Sequence, residues 1–148
     1  MTLPQGVRST AVWAPEVHRF GGKYWMFATI TEKKGTRPMA PMGEGVKEQN
    51  LVPRGTWIFR ADRPTGPFTP VKTGPVPPAE LQTLDGTLYV EDGKPYMVYC
   101  HEWCQMGNGT IEYAPLAPGF ASFLEPPKTL LDARSAMNGA GNVTDGPF

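Results

Sequence analysis

The sequence predicts an all-β fold made of propeller blades, each a four-stranded antiparallel sheet. Three observations carry that prediction. Glycine and proline number 17 each in 148 residues, the punctuation of many short strands joined by turns and too much for a helical protein. Apolar residues show no long helical period, and the clearest signals are extended segments paired around tight turns. One such pair recurs: laying Gly22-Lys23 on Gly93-Lys94, an offset of 71 positions (93 less 22), brings Trp25 onto Tyr96, Met26 onto Met97 and Phe27 onto Val98. A strand–turn–strand unit returning after about 60–70 residues is the mark of four-stranded blades.

The elements follow in order. "EVHRF" (16–20), "GGK" and "YWMFATI" (24–30) read as a hairpin. Residues 31–55, "TEKKGTRPMAPMGEGVKEQNLVPRG", are polar and rich in Gly and Pro and read as a long loop. Within it "LVPRGT" looks like a protease-recognition linker, but the segment continues the blade pattern and is taken as native. "TWIFRA" (56–61) is a strand, and "DRPTGPFTPV" (62–71) a turn leading to a short edge strand. "TLYV", "EDGK" and "PYMVYCHEW" (87–103) form the second hairpin, with Asp92-Gly93 as its turn. "GTIEYAPL" (109–116) is a strand, "APGFASFLEPPKTLL" (117–131) is irregular, and "DARSAMNGAGNVTDGPF" ends the chain. Residues 1–148 are therefore one partial domain, about two blades and the start of a third, whereas closed propellers have about four to eight.

Lys+Arg and Asp+Glu are 14 each, so the chain carries no electrostatic footprint for nucleic acid or an anionic membrane. No apolar run is long enough to span a bilayer. "MTLPQGVRST" lacks the charged and apolar regions of a signal peptide, so a cytoplasmic location is expected unless the chain is a fragment. If Cys100 and Cys104 share one strand, their Cα atoms lie roughly 13 Å apart, beyond the limit of about 7 Å for a disulfide. Two free thiols are expected. His101 and Glu102 between them do not complete a metal site, because a fourth ligand is missing.

"WAPEVHRFGGKYWMF", "RADRPTGPF", "LDGTLYVEDGKPYMVY" and "TDGPF" resemble, in order and spacing, successive blade motifs of glycoside hydrolase family 43. The resemblance runs from Trp13 to Phe148 and implies about half of a five-bladed β-propeller. It implies an inverting glycosidase of arabinofuranosidase or xylosidase type, acting on arabinose- or xylose-containing plant polysaccharides with three carboxylates at a central cavity. "LDGT" would place Asp85 as the acid that tunes the proton donor and orients substrate. "TDGP" would place Asp145 as the general acid, where the family motif has glutamate. The family's base, an aspartate followed by proline, has no counterpart, since "MTLPQGVRSTAV" holds no acidic residue. The chain is thus expected either to be truncated or to assemble its site in another way.

Inverting hydrolysis needs one carboxylic acid to protonate the leaving oxygen and one carboxylate, roughly 6.5–9.5 Å away, to activate water. A neighbouring negative charge keeps the acid protonated. Asp85 and Asp145 are 60 residues apart (145 less 85), close to one blade. Glu16, expected at the start of an inner strand, either caps that strand or stands on the cavity wall, where it would replace the missing base. Trp13 is a core residue or a sugar-stacking platform. His101, Glu102 and Trp103 would line the cavity from the second repeat, with strand alternation allowing one face of the trio to do so. The chemistry requires no cofactor; calcium is the one metal ion considered. The expected partner is a pentose-containing glycan. Open blade edges and apolar faces bearing Trp25, Met26, Tyr96 and Met97 point to a homo-oligomer that completes the ring. Two further readings stand beside the enzyme: a non-catalytic carbohydrate-binding half-propeller, and an interaction module whose open edges recruit a partner.

Overall fold

A computed structural model describes residues 1–40, 43 and 52–136 of the chain. It contains two four-stranded antiparallel sheets. The first comprises β1 (Ser9–Phe20), β2 (Lys23–Glu32), β3 (Arg54–Ala61) and β4 (Thr69–Pro70), side by side in chain order. The second comprises β5 (Thr83–Glu91), β6 (Lys94–His101), β7 (Thr110–Pro115) and β8 (Lys128–Asp132), again in chain order. Two single helical turns, α1 (Trp103–Met106) and α2 (Ala133–Ala136), follow β6 and β8. No helix among the described residues is long and apolar enough to cross a membrane.

The repeat seen in the sequence is real in space. β2 begins at Lys23 and β6 at Lys94, so the offset of 71 is kept (94 less 23). Both hairpins close through a two-residue turn with positive φ at each position: Gly21 at 58° and Gly22 at 75°, Asp92 at 50° and Gly93 at 73°. That geometry matches the right-handed twist of the flanking strands and favours Gly and Asp.

The two sheets pack face to face through Trp25, Phe27 and Ile58 of the first and Met97 and Tyr99 of the second, joined by Val76, Leu116 and Phe120. The Trp25 indole stacks on the Phe120 ring at 4.0 Å between centroids and donates its N–H to the Phe20 carbonyl at 2.9 Å. The other face of the first sheet buries Met26, Ala28, Ile30, Trp57 and Phe59, with Leu3 and Val7 packed against them. β2 is therefore buried on both faces, which is why "YWMFATI" reads as a nearly unbroken apolar run.

Several expectations change. Trp25, Met26 and Met97 do not wait for another blade: the chain itself buries them, because the first sheet has a partner on one face and the N-terminal segment on the other. Only Tyr96 of that group stays partly exposed. The second hairpin's strand stops at His101, and Glu102 and Trp103 leave it. Glu102 precedes α1 in extended conformation, and Gly107 ends α1 with φ 77°, its N–H bonded to the Trp103 carbonyl at 2.7 Å. Residues 128–131, read as irregular, belong to β8 (Lys128–Asp132); paired prolines before them and a bulge between Ile111 and Glu112 hid the ladder. Any start of a third blade after α2 lies outside the described residues.

Candidate functional site

The first strand of each sheet breaks register at the same place. β1 shifts between Trp13 and Glu16 and β5 between Leu84 and Thr87. Each bulge holds one non-glycine residue in the left-handed region, Ala14 at φ 41° and Asp85 at φ 52°. They too are separated by 71 (85 less 14). Such a conformation costs of order 1–3 kcal/mol and is least costly for Asp and Asn. "DG" at 85–86 is thus a bulge inside a strand rather than a turn between strands.

The bulge in β5 is fastened to the other sheet. The Asp85 N–H donates to Thr29 Oγ1 at 2.9 Å and the Gly86 N–H to Thr56 Oγ1 at 3.1 Å. A Cβ at Gly86 would lie 2.3 Å from Met97 Cε and 2.7 Å from Thr56 Cγ2, so the sheets can approach only over glycine. The Asp85 side chain is exposed and helps line an open cavity of about 710 Å³, together with Trp13, Ala14, Thr29, Arg54 and Thr87.

Trp13 stands at this cavity with 56% of its surface exposed. It is not a core residue. Its Nε1–H donates to Thr31 Oγ1 at 3.2 Å. Glu16 lies within β1, beyond the bulge, and not at the strand's start. Its carboxylate accepts from His18 Nε2 at 2.6 Å, and it is not one of the cavity-lining residues. The Thr87 hydroxyl approaches the same His18 nitrogen at 3.5 Å. One ring nitrogen cannot donate to a carboxylate and accept from a hydroxyl together, so these three groups are not a nucleophile–base–orienter relay.

His101, Glu102 and Trp103 do not line the cavity. The buried His101 ring faces Gln105 Oε1 at 3.0 Å and Glu112 Oε1 at 3.4 Å. Glu112 also accepts from the Tyr99 hydroxyl at 2.8 Å and the Thr110 hydroxyl at 3.1 Å. Burial alone would raise the Glu112 carboxyl, but the hydrogen bonds from His101 and Tyr99 outweigh it and hold it below the ordinary value. Burial first, and then the adjacent Glu112 carboxylate, push the Tyr99 hydroxyl far up. This network braces the wall behind the cavity. Glu102, 3% exposed, is paired with Arg54 Nη1, and Trp103 opens α1.

Cys100 is buried at the cavity wall, and Cys104 sits in α1 rather than on the strand. Among the described residues no group of three or more His, Cys, Asp and Glu side chains is placed to hold a metal ion. Asp145 lies outside the described residues. Sequence reasoning missed Arg54, Thr29 and Thr56. Arg54 falls in the segment that reads as a long loop, although it opens β3; the two threonines act across the sheets, which no local pattern reveals.

A search of curated protein sequences finds no significant match. Solved structures do match. An endo-arabinase from Bacteroides thetaiotaomicron VPI-5482 superposes with a TM-score of 0.71 at 30% identity, over 92% of this chain and 42% of that one. A thermostable family-43 glycoside hydrolase superposes at 0.64 with 18% identity, over 86% of this chain and 37% of that one. An alpha-L-arabinofuranosidase from Lactobacillus brevis superposes at 0.61 with 18% identity, over 86% and 38%. The chain thus spans about two fifths of the length of these structures, and its two sheets are propeller blades of their kind. The profile of glycosyl hydrolases family 43 matches residues 2–148, and the chain belongs to that family.

Proposed function

We propose that this chain carries the acid-bearing part of a glycosidase active site for arabinose- or xylose-containing glycans, with Asp85 and Asp145 as its carboxylates. The observation that supports this reading most is Asp85 itself: an exposed carboxylate at a cavity, held at φ 52° in a bulge whose N–H groups donate to threonine hydroxyls of the neighbouring sheet. Strained backbone of this sort gathers where a side chain must be aimed. Asp92, equally left-handed, is different: it sits in a hairpin turn and faces solvent. In this reading Asp145 protonates the leaving oxygen, and Asp85 keeps that acid protonated by its charge and orients the sugar. Trp13 offers its indole face to the ring. The reaction inverts the anomeric centre, with water activated by a third carboxylate. A pentose substrate accords with the endo-arabinase relative at 30% identity. Release of free arabinose or xylose from aryl glycosides is the expected result. Binding of pentose oligosaccharides without release would favour the half-propeller that only binds. One feature supports that second reading: Glu16, the substitute base, is engaged with His18 away from the cavity.

The glycan-facing site is completed by a second copy of the chain. The outer face of the second sheet carries a row of rings, Tyr89–Tyr96 at 6.3 Å and Tyr96–Tyr113 at 6.4 Å between centroids, with Tyr89 51% exposed. Such a face is suited to a two-fold pairing of like surfaces. Light scattering at several concentrations is expected to find a dimer. A well-folded monomer persisting to low micromolar concentration would rule it out.

A further inference from the structure

We infer that Arg54, held by Glu102 just beyond the end of β6, is a positioning residue that sets the orientation of the exposed Trp13 indole through the Thr31 hydroxyl; the ligand half of this inference rests on the proposed glycan-binding role. Trp13 is exposed, and an exposed indole on a strand rim has rotamers to lose when a ligand stacks on it. Its polar handle is tied to Thr31 Oγ1 at 3.2 Å. The same oxygen accepts Arg54 Nε–H, also at 3.2 Å. A hydroxyl oxygen has two acceptor sites, and both are taken, one by the indole and one by the guanidinium.

The guanidinium is in turn anchored at its far end. Arg54 Nη1 donates to the Glu102 carboxylate, and the Glu102 backbone is itself tied down. Its N–H is bonded to the Gln82 carbonyl at 2.9 Å, and its carbonyl accepts from the N–H groups of Gln105 and Met106 at 3.1 Å each. The order of connection is therefore Glu102, Arg54, Thr31, Trp13, from the segment between β6 and α1 across to the rim of the first sheet. Only arginine fits the middle place. Its planar fork offers Nε–H and Nη–H in fixed relation, one for each neighbour, whereas lysine is a point charge that keeps the Glu102 pair and drops the Thr31 bond. Arg54 and Trp13 both line the cavity, so a loosened clamp loosens the wall that a sugar would meet.

The test reads the indole directly and then the sugar. Trp25 and Trp57 are buried, so in a Trp103→Phe background of the full chain the fast component of tryptophan anisotropy decay reports Trp13. Arg54→Lys and Thr31→Val are expected to increase that component, and Thr31→Ser to restore it. Calorimetric titration with an arabino-oligosaccharide is then expected to show several-fold to tenfold weaker binding in the first two variants. In a Trp13→Ala background the same changes should cost nothing further, because the side chain they position has gone. Unchanged anisotropy in both Arg54→Lys and Thr31→Val would overturn the clamp whatever the sugar does. A loosened indole in a chain whose parent binds no arabino- or xylo-oligosaccharide would overturn the proposed glycan role and, with it, the ligand half of this inference. Equal loss of affinity with and without Trp13 would show that Arg54 acts on the ligand by another route, against the proposal.

Discussion

Asp85→Asn is expected to lower turnover of an aryl pentoside by about 10²–10⁴, the span that general acid–base catalysis contributes. Asparagine tolerates left-handed backbone as well as aspartate does, so the bulge, its bonds to Thr29 and Thr56 and the fold should survive. What disappears is the negative charge. A like charge nearby raises the pKa of a carboxylic acid, and removing it lets that acid ionise at lower pH. The proton donor is then empty at neutral pH, and the alkaline limb of the pH–rate profile should move to lower pH. Asp145→Asn should show a loss of similar size without that displacement, since the donor itself is gone. Rates within a few-fold of the parent in both variants, measured with an activated and an unactivated leaving group, would sink the assignment of these two residues.

The largest effect on stability is expected from Trp25→Ala. The indole is 5% exposed, stacks on Phe120, and sits in the apolar layer between the two sheets. Truncating a buried aromatic to alanine costs about 3–5 kcal/mol, against a total of about 5–15 kcal/mol for an ordinary domain. The hydrogen bond to the Phe20 carbonyl is lost as well. Denaturant unfolding should show a midpoint far below the parent's at an unchanged slope. By contrast Tyr89→Ala, on the open outer face, should move the midpoint little in dilute solution. Comparable shifts in the two variants would mean that the inter-sheet layer does not hold the described structure together.

The parts of this fold that could be read from the chain are those written in local chemistry. The Gly21-Gly22 and Asp92-Gly93 turns announce themselves because positive φ selects glycine and aspartate. The repeat offset is legible because both hairpins start from the same lysine position and carry bulky side chains at matching places. β8 was not legible: it is an exposed edge strand behind two prolines, with little burial to impose a pattern. α1 was hidden for another reason. "CHEW" alternates acceptably for a strand, and the helical turn is decided by Gly107 and by contacts of Gln105 with Ala40 and Glu80, far along the chain. Of the residues that line the cavity, Asp85 and Trp13 stand in motifs legible in the sequence. Arg54 does not, because its meaning depends on Glu102, 48 residues on and just beyond the end of β6.

The paired bulges have a consequence for how such a scaffold acquires chemistry. Ala14 and Asp85 occupy one backbone socket in two successive blades. In the second blade the socket is secured from outside the strand: the Asp85 amide is satisfied by a threonine hydroxyl of the neighbouring sheet and the next residue is a glycine wedged against it. The bend is thus maintained by the socket's surroundings, and the side chain planted in it is free to differ. A methyl group stands in one blade and a carboxylate in the other, on the same curve of main chain. Duplicating a blade therefore duplicates an aimed position, and a single codon then decides whether that position carries a methyl group or a carboxylate.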